Sequence, residues 1–578
     1  MLLFKDTHHI GQTDFYYSKV LKINEQSSRL VTLKYNVKFI LTSICILSSI
    51  GAISSIIGCS TAAQYEKNTD KEVYDILKKA EKHVFGKDKD FTINTKHSNK
   101  TAQNTTHNQI LAETQQADVL TLNIDQALSY AAKNSREYQS QKEALYLDAL
   151  TLTGALNDFG PNFSSTAGGQ LQNQSDGDVI GSTDATQRLS QNLLAGGNYS
   201  LALANDLLRF FSGDPRRSAS SVISLNILQP LLRGAGNKIA AERLTQANRN
   251  VIYAIRDYHQ FQNTFANNIT IQYLRLLQQK ESVDNQYQNY ISRKENTEYL
   301  TARAVDRASP QEVSDSEQGE LQAKNNWINA KASYQTSLDN FKITLGAPTG
   351  STLELDDREL DKIVEAGLHP LNINAEEAFN LALNNRPPLF NSIDRFDDSK
   401  RSVVIAANQL KATVNFVASA SLASTDGSFD RFDLDNLSSQ VGLELNLPIN
   451  RINERNNYRR ALISFQANIR SLSLTYDNLN NLIIRQIREI EQFKQSYQIQ
   501  LNAVKLAKDR VEGNRLRLQA GTVIFRRLSE SQDALIDAQN AVTNALINYQ
   551  DARLDFYNDI GIIDTTKPNY WLAKKPTK

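Results

Sequence analysis

Apolar residues return at every seventh position through a long stretch of the second half of the chain. These positions are Leu462, Ile469, Tyr476, Ile483, Ile490, Tyr497, Val504, Val511 and Leu518. A seven-residue repeat kept in one register, with no proline inside it, is typical of a helix that packs in a coiled coil. It predicts one continuous helix between Ile452 and Gly521, of roughly 65–70 residues and about 100 Å in length.

The two halves of the chain also match each other, as three pairs of segments show. Segment 122–134 aligns with 373–385, segment 225–237 with 443–455, and segment 329–346 with 544–561. Each half then has the order helix, β-hairpin, very long helix, turn and helix. The predicted parts are a leader with a lipid-attachment motif (1–58), a polar N-terminal segment (59–118), a first repeat (119–346), a linker (347–370), a second repeat (371–562) and a C-terminal tail (563–578).

Segments ahead of the long helices alternate between apolar and small polar residues, as β-strands do. The apolar members include Val414, Phe416, Val441, Leu443, Leu445, Ile223, Leu225 and Ile227. This period of two suits a barrel wall between lipid and lumen, and it equally suits a half-buried sheet of a soluble protein. No segment after residue 59 is long and apolar enough for a transmembrane helix, so a membrane-spanning part would have to be a closed β-barrel.

The first half carries extra residues at about 175–208. Within them, 188–206 alternates on both sides of a tight turn at 195–198, which predicts a second hairpin. The chain would then have six strands, and the other possibility is a long outer loop folded as a flap.

The N-terminus carries an uncharged apolar run, Phe39–Ile57, preceded by Lys34 and Lys38. The run leads into Gly58 and Cys59, an order that predicts a bacterial lipoprotein leader with a covalent lipid on Cys59. A plain membrane anchor with an incidental cysteine is the other interpretation. No further cofactor is expected.

The composition argues against nucleic-acid binding and against an enzyme. Lys+Arg total 64 and Asp+Glu total 63, which gives a formal net charge of +1, whereas nucleic-acid binders usually carry a basic surplus. No cysteine follows Cys59, and only His259 and His369 follow residue 107, so neither a cysteine nucleophile nor a metal site is expected. No GxSxG, P-loop or HExxH motif is present, and we predict no catalytic residue.

The order of these pieces resembles the TolC family of outer-membrane efflux channels over roughly residues 120–562. The resemblance is carried by segments 120–138, 160–164, 224–237, 443–461 and 517–554. It implies an α+β membrane protein in which internally duplicated, long coiled-coil helices form a periplasmic α-barrel. The β-hairpins would contribute to one trimeric transmembrane β-barrel. Familiar members of that family give four strands per chain, so six strands here would make eighteen in a trimer.

The resemblance also implies a function and a set of partners. The chain would be the exit duct of a tripartite efflux pump or of a type I secretion system. It would lie in the bacterial outer membrane with a long periplasmic extension. Its partners would be two further copies of itself, the lipid bilayer, a periplasmic adaptor protein and an inner-membrane transporter. Part of the family carries a lipid anchor, which is compatible with a lipid on Cys59.

Two interhelical turns correspond to the periplasmic tip that relatives present to an adaptor protein. The matching residues are Arg517, Leu518, Gly521 and Thr522 in the second half, and Arg303 and Pro310 around the turn of the first half. Gly521 suits the break between two helices, because glycine tolerates positive φ. The alternative is a plain interhelical turn without a partner.

Relatives close this tip with rings of acidic side chains just after the turn. The aligned positions here are Arg527 and Glu530, so only the second is acidic. Three copies of Arg527 near a three-fold axis would repel one another unless they pair with Glu530 or Asp533. Arg527, Glu530 and Asp533 are therefore the candidate gate.

Two other functions remain open at this point. A periplasmic adaptor would show a single helical hairpin between unrepeated β domains, and the duplication argues against it. A structural coiled-coil lipoprotein of the envelope, without channel activity, would not need the strands. Drugs, proteins and siderophores all remain possible substrates.

Overall fold

A computed structural model describes residues 61–573, apart from 87–89, 99, 101–102, 174–178, 211–216, 305–308 and 426. The predicted leader and Cys59 lie outside the described residues. Within the described part, two helical hairpins and several shorter helices support one large antiparallel sheet and one small parallel sheet.

The first half passes from short helices into four strands and then into a long helical hairpin. Its elements are α1 Ala62–Phe85, α2 His107–Thr114, β1 Val119–Leu122, α3 Ile124–Asn134, α4 Arg136–Asn157, β2 Asn162–Asn173, β3 Val179–Asn192, β4 Asn198–Phe210, β5 Arg217–Pro230, α5 Asn237–Ala240, α6 Glu242–Arg303 and α7 Pro310–Leu345. Helix α7 begins where Ser309 caps its first turn and Pro310 takes the first helical position, which suits a residue without an N–H.

The second half repeats this order with two strands instead of four. Its elements are β6 Thr352–Leu355, α8 Arg358–Ala366, α9 Ala375–Asn385, α10 Pro387–Asn408, β7 Thr413–Ser424, β8 Phe432–Asn446, α11 Ile452–Gln519, α12 Phe525–Asp559 and a 3₁₀ turn at Tyr570–Leu572. Helix α11 has 68 residues, so the continuous helix predicted from the seven-residue repeat is confirmed. The interval 347–370 contains β6 and α8, and β6 pairs in parallel with β1.

In each half, the end of the last long helix packs against the end of a short helix through the same kind of contact. Helix α7 ends at Gly346 with φ 75°, and α12 is followed by Gly561 with φ 74°. Each glycine lies against a backbone carbonyl, that of Asn134 after α3 or that of Asn385 after α9, and a Cβ there would overlap the oxygen. The sequence alignment had placed these two glycines opposite each other, and they have equivalent positions in the fold.

The large sheet is antiparallel, with the strand order β2-β3-β4-β5-β7-β8. The large sheet therefore has the six strands that the alternating pattern predicts. The extra hairpin is formed by β3 and β4, whose connecting residues 193–197 overlap the turn predicted at 195–198. A single β5–β7 pairing joins the strands of the first half to those of the second half.

The largest apolar cluster lies midway along the helices, where the small sheet and the C-terminal tail meet α6 and α12. Tyr273 of α6 is buried there, and its hydroxyl donates to the Leu122 carbonyl at 2.7 Å and accepts from Asp356 N at 2.8 Å. Trp571 of the tail is fully buried, and its carbonyl accepts from the buried Arg553 guanidinium at 2.7 Å. The tail at 563–573 is thus part of the packed body.

Among the described residues, none of the helices combines the length and the apolar character that crossing a bilayer requires.

Candidate functional site

The large sheet has one apolar face and one polar face, because alternate residues of a strand point to opposite sides. The cross-strand pairs decide which residues share a face. The apolar face includes Phe163, Leu189, Leu201, Leu203, Leu225, Ile227, Val441 and Leu443. The polar face includes Ser164, Thr186, Ser200, Ser224, Asn226, Ser419, Ser421 and Gln440. Hydroxyl and amide side chains therefore occur on this face in every strand, beside a few apolar residues such as Val222 and Val417.

Charge follows the same division. Within the paired stretches 162–172, 180–192, 198–208, 218–230, 413–422 and 437–446, the charged residues are Asp184, Arg188, Asp206 and Glu444, and all lie on the polar face. Asp184 lies directly opposite Asp206 on the neighbouring strand. The apolar face has no charged residue in these stretches, and the next pair along β4 and β5, Arg209 with Arg217, has the register of that face.

Polar residues do occur on the apolar face, and they bond to one another. Asn205 Oδ1 accepts from the Ser221 hydroxyl at 2.5 Å across β4 and β5. Gln191 Oε1 accepts from the Tyr199 hydroxyl at 2.7 Å, and its amide nitrogen donates to the Phe159 carbonyl at 2.9 Å. Pairing of this kind lowers the cost of placing polar atoms in apolar surroundings.

The turn between β3 and β4 packs against the connection from β5 to α6. Gly236 N donates to the Ala195 carbonyl at 2.9 Å. Gly196 has φ 98°, and a Cβ on it would overlap the Gly234 carbonyl. The extra hairpin is thereby anchored to the helical part at its turn as well as along both of its strands.

Four helices continue from the sheet, in the lateral order α4, α6, α10 and α11. Helices α4 and α6 share an apolar cluster. Helix α6 is joined to α10 by an ion pair between Arg249 Nη2 and Asp394 Oδ1 at 2.9 Å. Helix α10 contacts α11 through Phe396 and Phe465, whose stacked rings have centroids 5.7 Å apart.

The N-terminal helix α1 lies on α4 and α6. Val73 and Leu77 are buried in the cluster that these two helices form. The Tyr146 hydroxyl of α4 donates to Asp70 Oδ1 of α1 at 2.7 Å. Burial and the Asp70 carboxylate raise the pKa of Tyr146. Because α1 begins at Ala62, residue 59 precedes an ordered helix by only a few residues.

At the opposite end of the long helices, the two helical hairpins meet in a small apolar cluster. It joins Leu300 of α6, Leu518 of α11, and Phe525 and Leu528 of α12. Next to it, Thr297 Oγ1 of α6 donates to a carbonyl of α7 at 3.1 Å. This end of the molecule is the tip.

The residues predicted to contact an adaptor lie at the tip. Gly521 has φ 73° in the turn between α11 and α12, with open space around its Cα. Thr522 N and Oγ1 both donate to the Arg517 carbonyl, at 2.9 Å and 3.1 Å, and Leu518 is buried below them. Arg303 and Pro310 flank the first-half turn, and Pro310 is exposed. Arg303 Nη1 donates to the Tyr299 hydroxyl at 2.7 Å.

The candidate gate residues have different surroundings. Arg527 and Glu530 are both exposed on α12, and within the described part of one chain they do not pair with each other. Asp533 accepts from Arg293 of α6 at 2.8 Å, and Arg293 also donates to the Ser529 carbonyl at 2.8 Å. The Arg293 side chain is 3% exposed and that of Asp533 is 57% exposed. Asp533 therefore joins two helices of the same chain, while Arg527 and Glu530 face outward.

Sequence reasoning missed the other contacts that join the two hairpins. Arg526 Nη2 of α12 lies 3.3 Å from Asp315 Oδ2 of α7. Gln532 of α12 donates to Ser292 of α6 at 2.8 Å. Contacts that connect residues more than 200 positions apart leave no local pattern. Gly319 of α7 leaves room for Arg293, whose Nη1 would lie 3.2 Å from a Cβ at that position.

Comparison with solved structures identifies the fold. The chain is similar to CusC, whose structures describe transmembrane channel formation, with a TM-score of 0.55 at 10% identity over 77% of this chain and 95% of that chain. It is similar to the CmeC outer membrane channel of Campylobacter jejuni, with a TM-score of 0.55 at 14% identity over 76% of this chain and 85% of that chain. It is similar to the outer membrane protein VceC of Vibrio cholerae, with a TM-score of 0.54 at 14% identity over 76% and 96%.

No family model and no curated protein matches the sequence. The three solved structures have the fold of TolC-family outer-membrane channels, so the resemblance stated from the sequence motifs is confirmed at the level of the fold.

Proposed function

We propose that three copies of the chain form a channel that crosses the bacterial outer membrane as a closed β-barrel and continues through the periplasm as a helical tube. The observation that carries this proposal is the two-faced sheet at the end of long helices. Its apolar face suits lipid, and its polar face, which holds Asp184, Arg188, Asp206 and Glu444, suits a water-filled lumen. The fold shared with outer-membrane channels supports the same conclusion.

The sheet of one chain needs partners in a membrane. Its edge strands β2 and β8 have free hydrogen-bonding groups on one side, and such edges are not tolerated in lipid. The sheet alternates up and down and has an even number of strands, so β2 and β8 run in opposite directions. β8 of one copy can therefore pair antiparallel with β2 of the next, and a ring closes without a break.

The channel would serve as the exit duct of a tripartite efflux pump or a type I secretion system. Its tip would contact a periplasmic adaptor through Arg517, Gly521, Thr522, Arg303 and Pro310, while Leu518 is buried and would support the turn from below. The adaptor would connect the channel to an inner-membrane transporter. A lipid on Cys59 would add a membrane anchor, and the nearby start of α1 beside α4 and α6 supports this placement.

The tip would also hold the gate. The Arg526–Asp315 and Arg293–Asp533 pairs join the hairpin α11–α12 to the hairpin α6–α7, so opening would require these hairpins to separate. Arg527 and Glu530, both exposed, would face the three-fold axis or a neighbouring copy.

The assembly is tested on the full chain extracted from membranes in a mild detergent. Light scattering should give the mass of a trimer, and negative-stain electron microscopy should show a three-fold tube longer than about 100 Å. A monomer, or a thin rod without a barrel end, would overturn the proposal and favour a structural coiled-coil lipoprotein or an adaptor.

The exit-duct role needs a separate experiment. Thr522→Trp places a bulky side chain on the exposed turn of the tip without touching the buried cluster. Export through the pump should fall, while trimer mass and conductance in a planar bilayer stay as in the parent protein. Unchanged export would remove Thr522 from the adaptor surface.

A further inference from the structure

The extra hairpin β3–β4 occupies the second and third positions of the large sheet and not an edge. β3 pairs with β2 through 12 residue pairs and with β4 through 13, and β4 pairs with β5 through 12. A flap folded over the outside of a barrel would leave one side of the hairpin unpaired. Pairing along both sides makes the hairpin part of the wall.

The hairpin has the length and the pattern of a membrane-spanning wall. A transmembrane β-strand needs about 9–11 residues when tilted by about 45°, and β3 and β4 have 14 and 13 residues. On β4, Leu201, Leu203 and Leu207 lie on the apolar face, and Ser200, Ala204 and Asp206 lie on the polar face. The face division of the hairpin is thus the same as that of the neighbouring strands.

With the extra hairpin, the sheet is also about as wide as the row of helices from which it extends. Four helices in a row at about 8–10 Å spacing are about 32–40 Å wide. Six strands at about 4.8 Å spacing and about 40° tilt occupy about 38 Å of the ring, whereas four strands would occupy about 25 Å. A six-stranded sheet therefore continues the row α4–α6–α10–α11 without a change of width.

We infer that the barrel of this protein is a ring of eighteen strands, six from each of three copies, closed by β8 of one copy on β2 of the next. The inference rests on the proposed trimer. At about 40° tilt, eighteen strands give a backbone diameter of about 36 Å, against about 24 Å for twelve strands. The wall is then about as wide as a ring of twelve helices.

A barrel of this width does not limit the size of the solute. Barrels of 16–18 strands enclose an aqueous channel, and this one is lined by the hydroxyl and amide groups of the polar face. Among the described residues, no group of side chains could hold a metal ion, and the polar face is rich in hydroxyl and amide groups. This surface therefore suits large polar or polypeptide cargo that passes in water. Selection and closure are left to the tip.

Electron cryo-microscopy of the full chain from membranes gives the strand count directly. Eighteen strands and a diameter near 36 Å are expected. A three-fold tube with a twelve-stranded barrel, with 188–206 lying outside it, would overturn this inference and leave the proposed channel intact. A particle without three-fold symmetry would overturn both.

Cysteine labelling tests the same inference in intact cells. The chain has no cysteine after Cys59, so the rest of its sequence adds no labelling of its own. Ala204→Cys places a thiol on the polar face of β4, and Leu203→Cys places one on the apolar face beside it. A membrane-impermeant, water-soluble maleimide should label the first at least tenfold faster than the second. Equal labelling of both positions would show that β4 is exposed to water on both faces and would overturn the inference.

Discussion

Gly346 and Gly561 have the same role in the two halves of the molecule: each lets the end of a long helix pack against the backbone of a short helix. Each combines a positive φ with a carbonyl where a Cβ would be, so two separate reasons exclude any other side chain. Gly521 differs, because it has φ 73° but open space around it. We therefore expect substitutions at Gly346 and Gly561 to be more damaging than one at the tip.

Gly561→Ala should destabilise the protein by more than the roughly 1 kcal/mol that positive φ alone costs, since the new methyl group also overlaps the Asn385 carbonyl. Gly513→Ala is the matched control, because Gly513 lies inside α11 and a Cβ there would contact nothing beyond the backbone of its own helix. That control should be neutral or stabilising by up to about 1 kcal/mol. Thermal unfolding in detergent compares the two, and equal melting temperatures would contradict the prediction.

Asp555 is a second residue whose surroundings set its behaviour. It lies on α12 between Asp551 and Asp559, and these two carboxylates pair with Arg275 at 2.8 Å and Arg386 at 3.0 Å. Removal of water by the surrounding protein, together with the two neighbouring carboxylates, raises the pKa of Asp555 to about 6. The folded state therefore binds the proton of this acid more tightly than the unfolded state does.

The sign of the pH effect follows from that shift. Because the folded pKa lies above the unfolded value, the stability contributed by Asp555 is present in full below about pH 4 and is lost as the pH rises through about 6. Asp555→Asn should raise the melting temperature at pH 8 and leave it nearly unchanged at pH 4. A gain of the same size at both pH values would assign the effect to something other than the charge.

At the level of elements, periodic sequence patterns predict the helices and strands themselves, but they do not predict the contacts between distant elements. The seven-residue period located α11, and the alternation at 188–206 located β3 and β4 with their turn. These signals are local, because a helix or strand must present one face to its neighbours over its whole length. The pairing of β6 with β1 lay in a predicted linker, since four residues are too few to show a period.

The tip shows the same division between what could and could not be predicted. Gly521 was found because a helix break needs a residue that tolerates positive φ. The buried Arg293 was not found, because nothing around a single arginine in a polar stretch indicates that another helix covers it. Its partner Asp533 was chosen as a gate residue for a different reason, namely as an acid that could pair with Arg527.

The two ion pairs at the tip should differ in strength. Arg293 is 3% exposed, whereas Arg526 is 64% exposed. Asp533→Ala leaves a buried guanidinium with one partner fewer, which costs about 1–3 kcal/mol, while Asp315→Ala returns Arg526 to water at a cost of about 0–1 kcal/mol. Hydrogen exchange of the amides in 290–300 and 525–535 reports both changes. A larger effect from Asp315→Ala would contradict this ranking.

At the scale of the whole molecule, the gate depends on three copies meeting at an axis. Arg527→Glu replaces an exposed cation by an anion, so the net charge near the axis of a trimer would become six units more negative than in the parent protein. Conductance and its pH dependence should change, with a shift toward cation selectivity because carboxylates attract cations. The matched control is Arg515→Glu, which changes an exposed arginine on α11. Equal results for the two variants would remove Arg527 from the gate.

The strand count is also a property of the whole ring, because closure depends on parity. Removing residues 179–210 takes away β3 and β4 together and leaves 174–178 and 211–216 to join β2 to β5. β2 and β5 run in opposite directions, so they can pair as β2 and β3 do now, and four strands per copy still close antiparallel. We expect a trimer that inserts into the membrane with a barrel narrower by about one third.

Removing residues 193–210 is the control, since it deletes the turn and β4 only. In that variant β3 ends at the helical end of the sheet while β5 begins at the opposite end, so residues 211–216 would have to cross the membrane to join them, and β3 would lie parallel to β5. That variant should fail to assemble in the outer membrane, although it loses fewer residues. If both deletions assembled equally well with an unchanged barrel diameter, the extra hairpin would lie outside the wall. If the first assembled with a narrower barrel and the second did not, the even number of strands would be the property that the ring requires.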